Sequence, residues 1–499
     1  MILFKITLTI VGLIRLLRWL SIIQEKEYRW DRLKIFIFSS KGLRELVRVI
    51  PRPSDFTRSG LKRPKRTGRV LVIAVIAISY IYNLIQISDT WVGQLDYQLG
   101  ADLMTSLFLL SIYILIPTFV LLAIIPTVVI SSFQTNLTLL RAKRKLNQQK
   151  PMVIGITGSF GKTATKQLLA HILNEVEPVF ATPKSFNTRY SVARSILKGY
   201  KSEKIAILEY GAYAKGEIAK LASWFQPTIA VITGLTSQHL GLFGTQQAII
   251  EAKSELITSL PRQGAVVYNA LDEGVQQIVT LGVHNWQIKH HTNQEPILIG
   301  CNPKMSKQTF GYVLEKSGHL AILAGKRKII TDLIGMQYAQ TVELAVTIGA
   351  RLKLSEAAIL HAISTFSPGD NFIQIRKTKS GGTIIDDGGT ANPAGFKAAL
   401  ELLQQSENKN KWLITPGIVD LGLESKSVHQ KLADFSASFV QKVLYVDLNG
   451  RAEFEAKFGT NCETDRELII KRLKQMDSDV VLLIEGRMPG WVQPYIKAL

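Results

Sequence analysis

Residues 155–163 read Gly-Ile-Thr-Gly-Ser-Phe-Gly-Lys-Thr, with the apolar run Met152-Val153-Ile154 before them and good helix formers from Thr165 to Leu173 after. Strand, glycine-rich loop and helix in that order form a phosphate cradle. Gly158, Ser159 and Gly161 let backbone N–H groups close around an anion. Lys162 reaches the outer phosphates, and the Thr163 hydroxyl is placed to hold a magnesium ion. The pattern predicts use of a nucleoside triphosphate. In the common phosphate-loop spacing, four residues separate the first glycine from the Gly-Lys pair; here Gly155 lies one residue further back.

Outward from this loop the 499 residues divide unevenly. From 151 onward, strands alternate with helices. Strand candidates are 153–157, 205–209, 229–233 and 265–268; helix candidates are 162–174, 215–224 and 245–260. Such alternation predicts a parallel sheet with crossover helices, whose ligands bind beyond the carboxyl ends of the strands. Glu209 and the segment from Thr233 to His239 lie at such ends. After a less regular stretch, 282–328, and a helix over 338–350, a second α/β unit follows. Its strands are expected at 382–386, 412–415, 443–446 and 480–484, and its helices at 393–405 and 426–440. The expected domains are a membrane region over 1–150, a nucleotide-binding domain over 151–330 and a Rossmann-like domain over 331–499.

The membrane region follows from hydropathy. Residues 70–87 and 103–130 contain no charged side chain, although Pro117 and Pro126 interrupt the second run, and each approaches the ~20 residues that cross a bilayer. Between them lie Asp89, Asp96 and Asp102 and no Lys or Arg, whereas both flanks are basic. The positive-inside rule then predicts a hairpin with both ends, and the domains that follow, in the cytoplasm. A third span, an interfacial helix and an uncleaved anchor all fit residues 1–23, which Lys5, Arg15 and Arg18 interrupt.

Much of the excess behind the net charge of +21 sits over 25–69, beside a span, where attraction to anionic membrane lipids accounts for it. No aromatic-basic module accompanies it, so nucleic acid is not expected as a partner. Cys301 and Cys462 are too few and too far apart for a metal knuckle.

Further motifs resemble the ATP-dependent Mur ligases, and among them the type that adds D-Ala-D-Ala to the peptidoglycan precursor. They are Gly155 to Thr163; Thr182-Pro183-Lys184-Ser185-Phe186-Asn187; Glu209-Tyr210-Gly211-Ala212 with Gly216-Glu217-Ile218; and His239-Leu240 and Phe243-Gly244 preceding Ala252-Lys253. Asn269-Ala270-Leu271-Asp272 and Asp386-Asp387-Gly388-Gly389-Thr390-Ala391-Asn392-Pro393 extend the resemblance over about 151–499.

Over 151–499 the resemblance implies an α/β fold, a phosphate-loop Mur ligase central domain followed by a Rossmann-like C-terminal domain, to which hydropathy adds the N-terminal transmembrane helices. It implies ATP and Mg2+ as cofactors, and activation of a muropeptide carboxylate as an acyl phosphate for attack by an amine such as D-Ala-D-Ala. Thr163 and Glu209 would hold one metal ion and His239 a second. Lys253 would be carbamylated, turning an ammonium into a carboxylate-like metal ligand, and Lys162, Lys253 and His239 would carry catalysis. Asn269 and Asp272 match nucleotide-contacting positions, and Asn187, Asp386, Asp387 and Asn392 match substrate segments. Capping of the following helix is an equally good account of Asp386 and Asp387.

Departures cluster in the last domain. Gly335-Met336-Gln337-Tyr338 stands for Gly-x-His-Asn, Gly369-Asp370 for Gly-Arg, and Glu485-Gly486-Arg487 for a Lys-Gly-Ser-Arg-like segment. The front of the chain has membrane spans where the family has a domain that grips UDP. Three readings follow: a membrane-anchored ligase, a related ligase or amidating enzyme acting on a lipid-linked substrate, and a non-catalytic ATP-binding scaffold or sensor.

Overall fold

The apolar run before the glycine loop becomes the central strand of a six-stranded parallel sheet. The computed structural model describes residues 2–56, 61–92, 98–236, 240–303, 310–369, 371–389, 391–408 and 410–499. The strands are β1 (Met152–Thr157), β2 (Val179–Ala181), β3 (Ile205–Glu209), β4 (Ile229–Ile232), β5 (Ala265–Asn269) and β6 (Ile297–Cys301), in spatial order β2-β3-β1-β4-β5-β6. Every pairing is parallel. β1 lies between β3 and β4, so the loops after these three strands open at one place.

The strands read as nearly continuous apolar runs because both faces are covered. On one face Ile154, Ile156, Ile207 and Val231 pack with Leu168, Leu169, Ile172 and Leu173 of helix Lys162–Asn174 and with the helices Tyr338–Arg351 and Glu356–Thr365. The spacing of those four leucine and isoleucine positions is that of an amphipathic helix face. Val153, Leu208 and Ile232 face the other core with helices Arg189–Gly199, Glu217–Ala222, Gln246–Thr258 and Glu273–His290.

The start of the stretch read from sequence as irregular is the second half of the last of these helices. Val275, Ile278, Val279, Val283 and Trp286 are buried at helical spacing. Gly282 lies against Ile257, where a Cβ would come within 2.8 Å. The rest of that stretch leads into an antiparallel meander, β7 (Phe310–Leu314), β8 (His319–Ala324) and β9 (Arg327–Ile334), whose Leu320, Ile322 and Leu333 join the first core.

The second sheet is built from β10 (Gln374–Lys377), β11 (Thr383–Asp387), β12 (Asn410–Thr415), β13 (Lys442–Tyr445), β14 (Cys462–Glu463) and β15 (Val480–Glu485), in the order β10-β11-β15-β12-β13-β14. Only β10 runs antiparallel to its neighbour. Apolar cores lie on both faces. The architecture is the expected mixed α/β class.

Residues Met1–Leu137 form a separate compact unit. Among the described residues, three helices are long and apolar enough to cross a membrane, with apolar stretches Leu3–Glu25, Gly68–Ser88 and Leu103–Gln149. Within this unit Arg18 is ion-paired with Glu45 at 2.7 Å and with Asp55 at 2.6 Å, and Glu45 also meets Arg52 at 3.0 Å. Arg15, which interrupts the same apolar run, donates to the carbonyls of Leu46 and Arg48 and lies over the Tyr113 ring.

Candidate active site

The turn after β1 is set by two glycines. Gly158 has φ +154° and a Cβ there would come within 2.0 Å of the Thr233 hydroxyl; Gly161, at φ +76°, precedes the first residue of helix Lys162–Asn174. The loop is docked on the segment after β4: Ser159 N donates to the Gly234 carbonyl at 2.7 Å, and the Thr233 hydroxyl donates to the Phe160 carbonyl. Gly155 has a different task. It sits inside β1, where a Cβ would meet the Tyr210 ring at 2.9 Å, so it is a packing glycine of the strand and the phosphate loop proper begins at Gly158. With Gly155 assigned to the strand, two residues separate Gly158 from the Gly161-Lys162 pair.

Two lysines converge on this loop. Lys162 Nζ donates to the carbonyls of Gly158 at 2.7 Å and Ser159 at 3.2 Å. Lys253, on helix Gln246–Thr258 and only 5% exposed, donates to the same Gly158 carbonyl at 2.9 Å. Burial draws the Lys162 ammonium below its ordinary pKa of 10.5; Glu209 opposes this and Lys166 adds to it. Burial, and then the charge of Lys162, hold Lys253 well below that value. Lys253 is therefore a buried amine biased toward its neutral form, not a solvated face lysine.

Glu209, at the end of β3, is the hub of the site. Its Oε2 accepts from the Thr163 hydroxyl at 3.1 Å and from Lys166 Nζ at 3.0 Å, and its Oε1 accepts from Asn187 Nδ2 at 3.1 Å. Ser185 lies 3.1 Å from the Thr163 hydroxyl, and Lys166 also donates to the Lys184 carbonyl. The segment Thr182 to Asn187 is thus folded over the start of the phosphate-loop helix. Sequence reasoning named Thr163, Asn187 and Glu209 but missed Lys166 and Ser185. Lys166 lies one helical turn beyond Lys162, a spacing that puts both on one face and was available as a signal.

The remaining candidates stand elsewhere. Asp272 caps helix Glu273–His290 through Val275 N at 3.1 Å and also receives Leu235 N at 2.8 Å, so it ties the end of β5 to the segment after β4. The Asn269 side chain accepts from Leu271 N at 3.0 Å. Asp386 accepts from Gly388 N at 3.0 Å, and Asn392 caps helix Pro393–Gln405 through Gly395 N at 3.0 Å. Asp387 pairs in register with Glu485 at the ends of β11 and β15, and their carboxyl groups are hydrogen-bonded. Burial, opposed by that hydrogen bond and helped by Asp386, pushes Asp387 up to about 6; burial and Asp387 push Glu485 well above the usual carboxylate range. His239 lies outside the described residues. Among the described residues no group of three or more His, Cys, Asp or Glu side chains is placed to hold a metal ion.

The residues present fit the two groups that the loop implies. A cradle closed to any Cβ at Gly158, followed directly by a helix N-terminus and Lys162, suits a phosphate chain. The adjacent Thr163 hydroxyl and Glu209 carboxylate are oxygen donors of the kind a magnesium ion takes alongside phosphate.

A parallel sheet with a glycine loop after its central strand and an acidic residue at the end of the next defines a mononucleotide-binding α/β protein. Residues 156–349 match the Mur ligase middle domain. The UDP-N-acetylmuramoyl-tripeptide--D-alanyl-D-alanine ligase of Bacillus subtilis (strain 168) is 26% identical over 291 residues, covering 58% of this chain and 61% of its own length. Its counterpart in Escherichia coli (strain K12) is 24% identical over 366 residues, covering 71% and 78%. The structure of MurF ligase from Thermotoga maritima in complex with ADP superposes with a TM-score of 0.61 at 21% identity, covering 73% of this chain and 83% of that one. The chain thus spans about three fifths of the length of the Bacillus relative.

Proposed function

We propose that this chain is a membrane-anchored, ATP-dependent amide ligase of peptidoglycan precursor synthesis. The observation that carries the reading is the meeting of Thr163, Asn187 and Glu209 beside a phosphate loop on which Lys162 and Lys253 converge. A site for phosphate alone has no use for the buried carboxylate or for the second lysine. The relatives named as ligases of UDP-N-acetylmuramoyl-tripeptide and D-alanyl-D-alanine support the same class.

In this reading ATP supplies the phosphoryl group that activates a muropeptide carboxylate, with Mg2+ as its counter-ion, and an amine then displaces it. Transfer between two anions requires fixed positive charge around the reacting oxygens. Lys162 would turn from the Gly158 and Ser159 carbonyls to the outer phosphates, while the backbone N–H groups of Gly158 and Gly161 would hold the inner ones; the Ser159 N–H is already committed to the Gly234 carbonyl. Thr163 and Glu209 hold the metal ion, and Asn187 aims Glu209. Lys253, biased by burial toward the neutral amine that takes up carbon dioxide, would as a carbamate be an anionic ligand. His239 is assigned to a second ion, Asn269 and Asp272 to the nucleotide, and Asp386, Asp387 and Asn392 to the substrate side.

The three apolar helices anchor the chain in the cytoplasmic membrane as a multi-pass protein with the ligase domains in the cytoplasm. Membrane lipid is then the first partner, and a lipid-linked muropeptide is as suitable an acyl substrate as a UDP-linked one. Glu485 stands where the resemblance expects lysine, so amines other than D-Ala-D-Ala belong among the donors tested.

The test is phosphate release from ATP by full-length protein in detergent, with UDP-linked and lipid-linked muropeptides against D-Ala-D-Ala and single amino acids. Release that depends on a substrate pair and disappears in Lys162→Ala and Lys253→Ala is expected. ATP binding without turnover on any pair supports the scaffold or sensor reading instead.

A further inference from the structure

Lys166 belongs to none of the motifs that suggested the site, yet it makes the closest charged contact in it. Its Nζ is 3.0 Å from Glu209 Oε2, and both side chains are 1% exposed. The same carboxylate oxygen receives the Thr163 hydroxyl at 3.1 Å, so the ammonium occupies the flank of the position that a metal ion shared by Thr163 and Glu209 would take. The ammonium is held there twice, because it also donates to the Lys184 carbonyl. Lys184 has φ +49°, a left-handed turn in the segment that folds over the helix start. Asn187, three residues on, holds the other Glu209 oxygen. One short segment therefore fixes both the metal-facing carboxylate and the cation paired with it.

A dication placed on an oxygen already paired with a buried ammonium is repelled at a few ångströms with little solvent to screen it. A polyphosphate chain in the adjacent loop offsets that repulsion. We propose that Lys166 is a positioning residue that occupies the flank of Glu209 Oε2, and that it excludes a bare divalent ion so that metal enters only together with nucleotide. Metal and nucleotide then bind with positive coupling, and by reciprocity each tightens the other. The inference rests on the ATP and metal part of the proposed function and is silent on the muropeptide and the amine.

The experiment is Mn2+ binding followed by electron paramagnetic resonance on full-length protein in detergent, with and without ADP, for wild type, Lys166→Met and Lys166→Arg. Expected for wild type is weak binding of Mn2+ alone and binding tightened roughly 5- to 150-fold by ADP. Lys166→Met should bind Mn2+ alone at least about tenfold more tightly than wild type, with a smaller effect of ADP, because the competing cation is gone. Lys166→Arg should keep the wild-type pattern. Binding of bare Mn2+ by Lys166→Met that is unchanged or weaker overturns the proposal, since a purely structural lysine predicts a loss. Should Lys166→Met fail to fold, wild type alone decides: equal Mn2+ affinity with and without ADP overturns the proposal. Failure of folded wild type to bind ADP at all, read by ADP titration, overturns the nucleotide and metal reading itself.

Discussion

Lys162 and Lys253, 91 positions apart in the chain, donate to one carbonyl oxygen, that of Gly158, at 2.7 and 2.9 Å. Burial is the first cause that draws both ammonium groups toward the neutral amine; Lys166 adds to it at Lys162, and repulsion by the Lys162 charge adds to it at Lys253. Conversion of Lys253 to a carbamate replaces that repulsion with attraction. Lys253→Ala should lower substrate-dependent turnover by about 10²- to 10³-fold, the range for loss of one fixed charge-stabilising group. Protein equilibrated with ¹³C-labelled carbon dioxide should show a carbamate resonance that Lys253→Ala lacks. Acidification should diminish that resonance, because only the neutral amine reacts.

Gly155 and Gly158, two of the three glycines in the Gly155 to Gly161 stretch, should fail in different ways. Gly155→Ala places a methyl against the Tyr210 ring inside the sheet and should destabilise the fold by about 1–3 kcal/mol, with ADP affinity retained in the folded fraction. Gly158→Ala combines a left-handed φ with a clash at the Thr233 hydroxyl in the cradle itself, and should abolish ADP binding. Thermal melts and ADP titrations on both variants separate the two effects.

Asp387 and Glu485 give the C-terminal domain a pH signature. Both carboxyl groups bind their proton more tightly folded than unfolded, so the unfolded chain releases protons first as pH rises. Their contribution to stability is complete below about pH 4 and is lost through pH 6 and beyond. Glu485→Gln should flatten this part of the pH–Tm profile. A profile that keeps its full slope in the variant would falsify the assignment.

In the N-terminal unit, Arg18 faces two carboxylates that are themselves buried. Arg18→Met leaves Glu45 and Asp55 without their shared partner and should cost about 3–5 kcal/mol. The triple change Arg18→Met, Glu45→Gln, Asp55→Asn should recover most of that loss. Unfolding of the full-length protein in detergent, read by proteolysis within residues 1–137, measures both.

Part of this site was legible in the sequence because its signals are local. The helix Lys162–Asn174 was read with its observed ends, since Gly161 supplies the left-handed residue before it and Leu168, Leu169, Ile172 and Leu173 supply the buried face. Glu209 was identified by its position at a strand end. Asp272, by contrast, resembles a nucleotide contact in sequence, yet its carboxylate is committed to Val275 N and Leu235 N. The second of those partners is 37 residues away, and no local pattern encodes it.

The sequence by itself determined the apolar helices, the glycine cradle and the alternation of strand and helix, because each follows from spacing within a few turns or from the steric freedom of glycine. Only the tertiary structure decided that Gly155 packs a strand, that Lys166 pairs with Glu209 across 43 positions, and that Asp387 meets Glu485. Those relationships depend on which strands become neighbours and on which charges are withdrawn from water together. Both are set by the collapse of the whole sheet around its core, and not by any segment read alone.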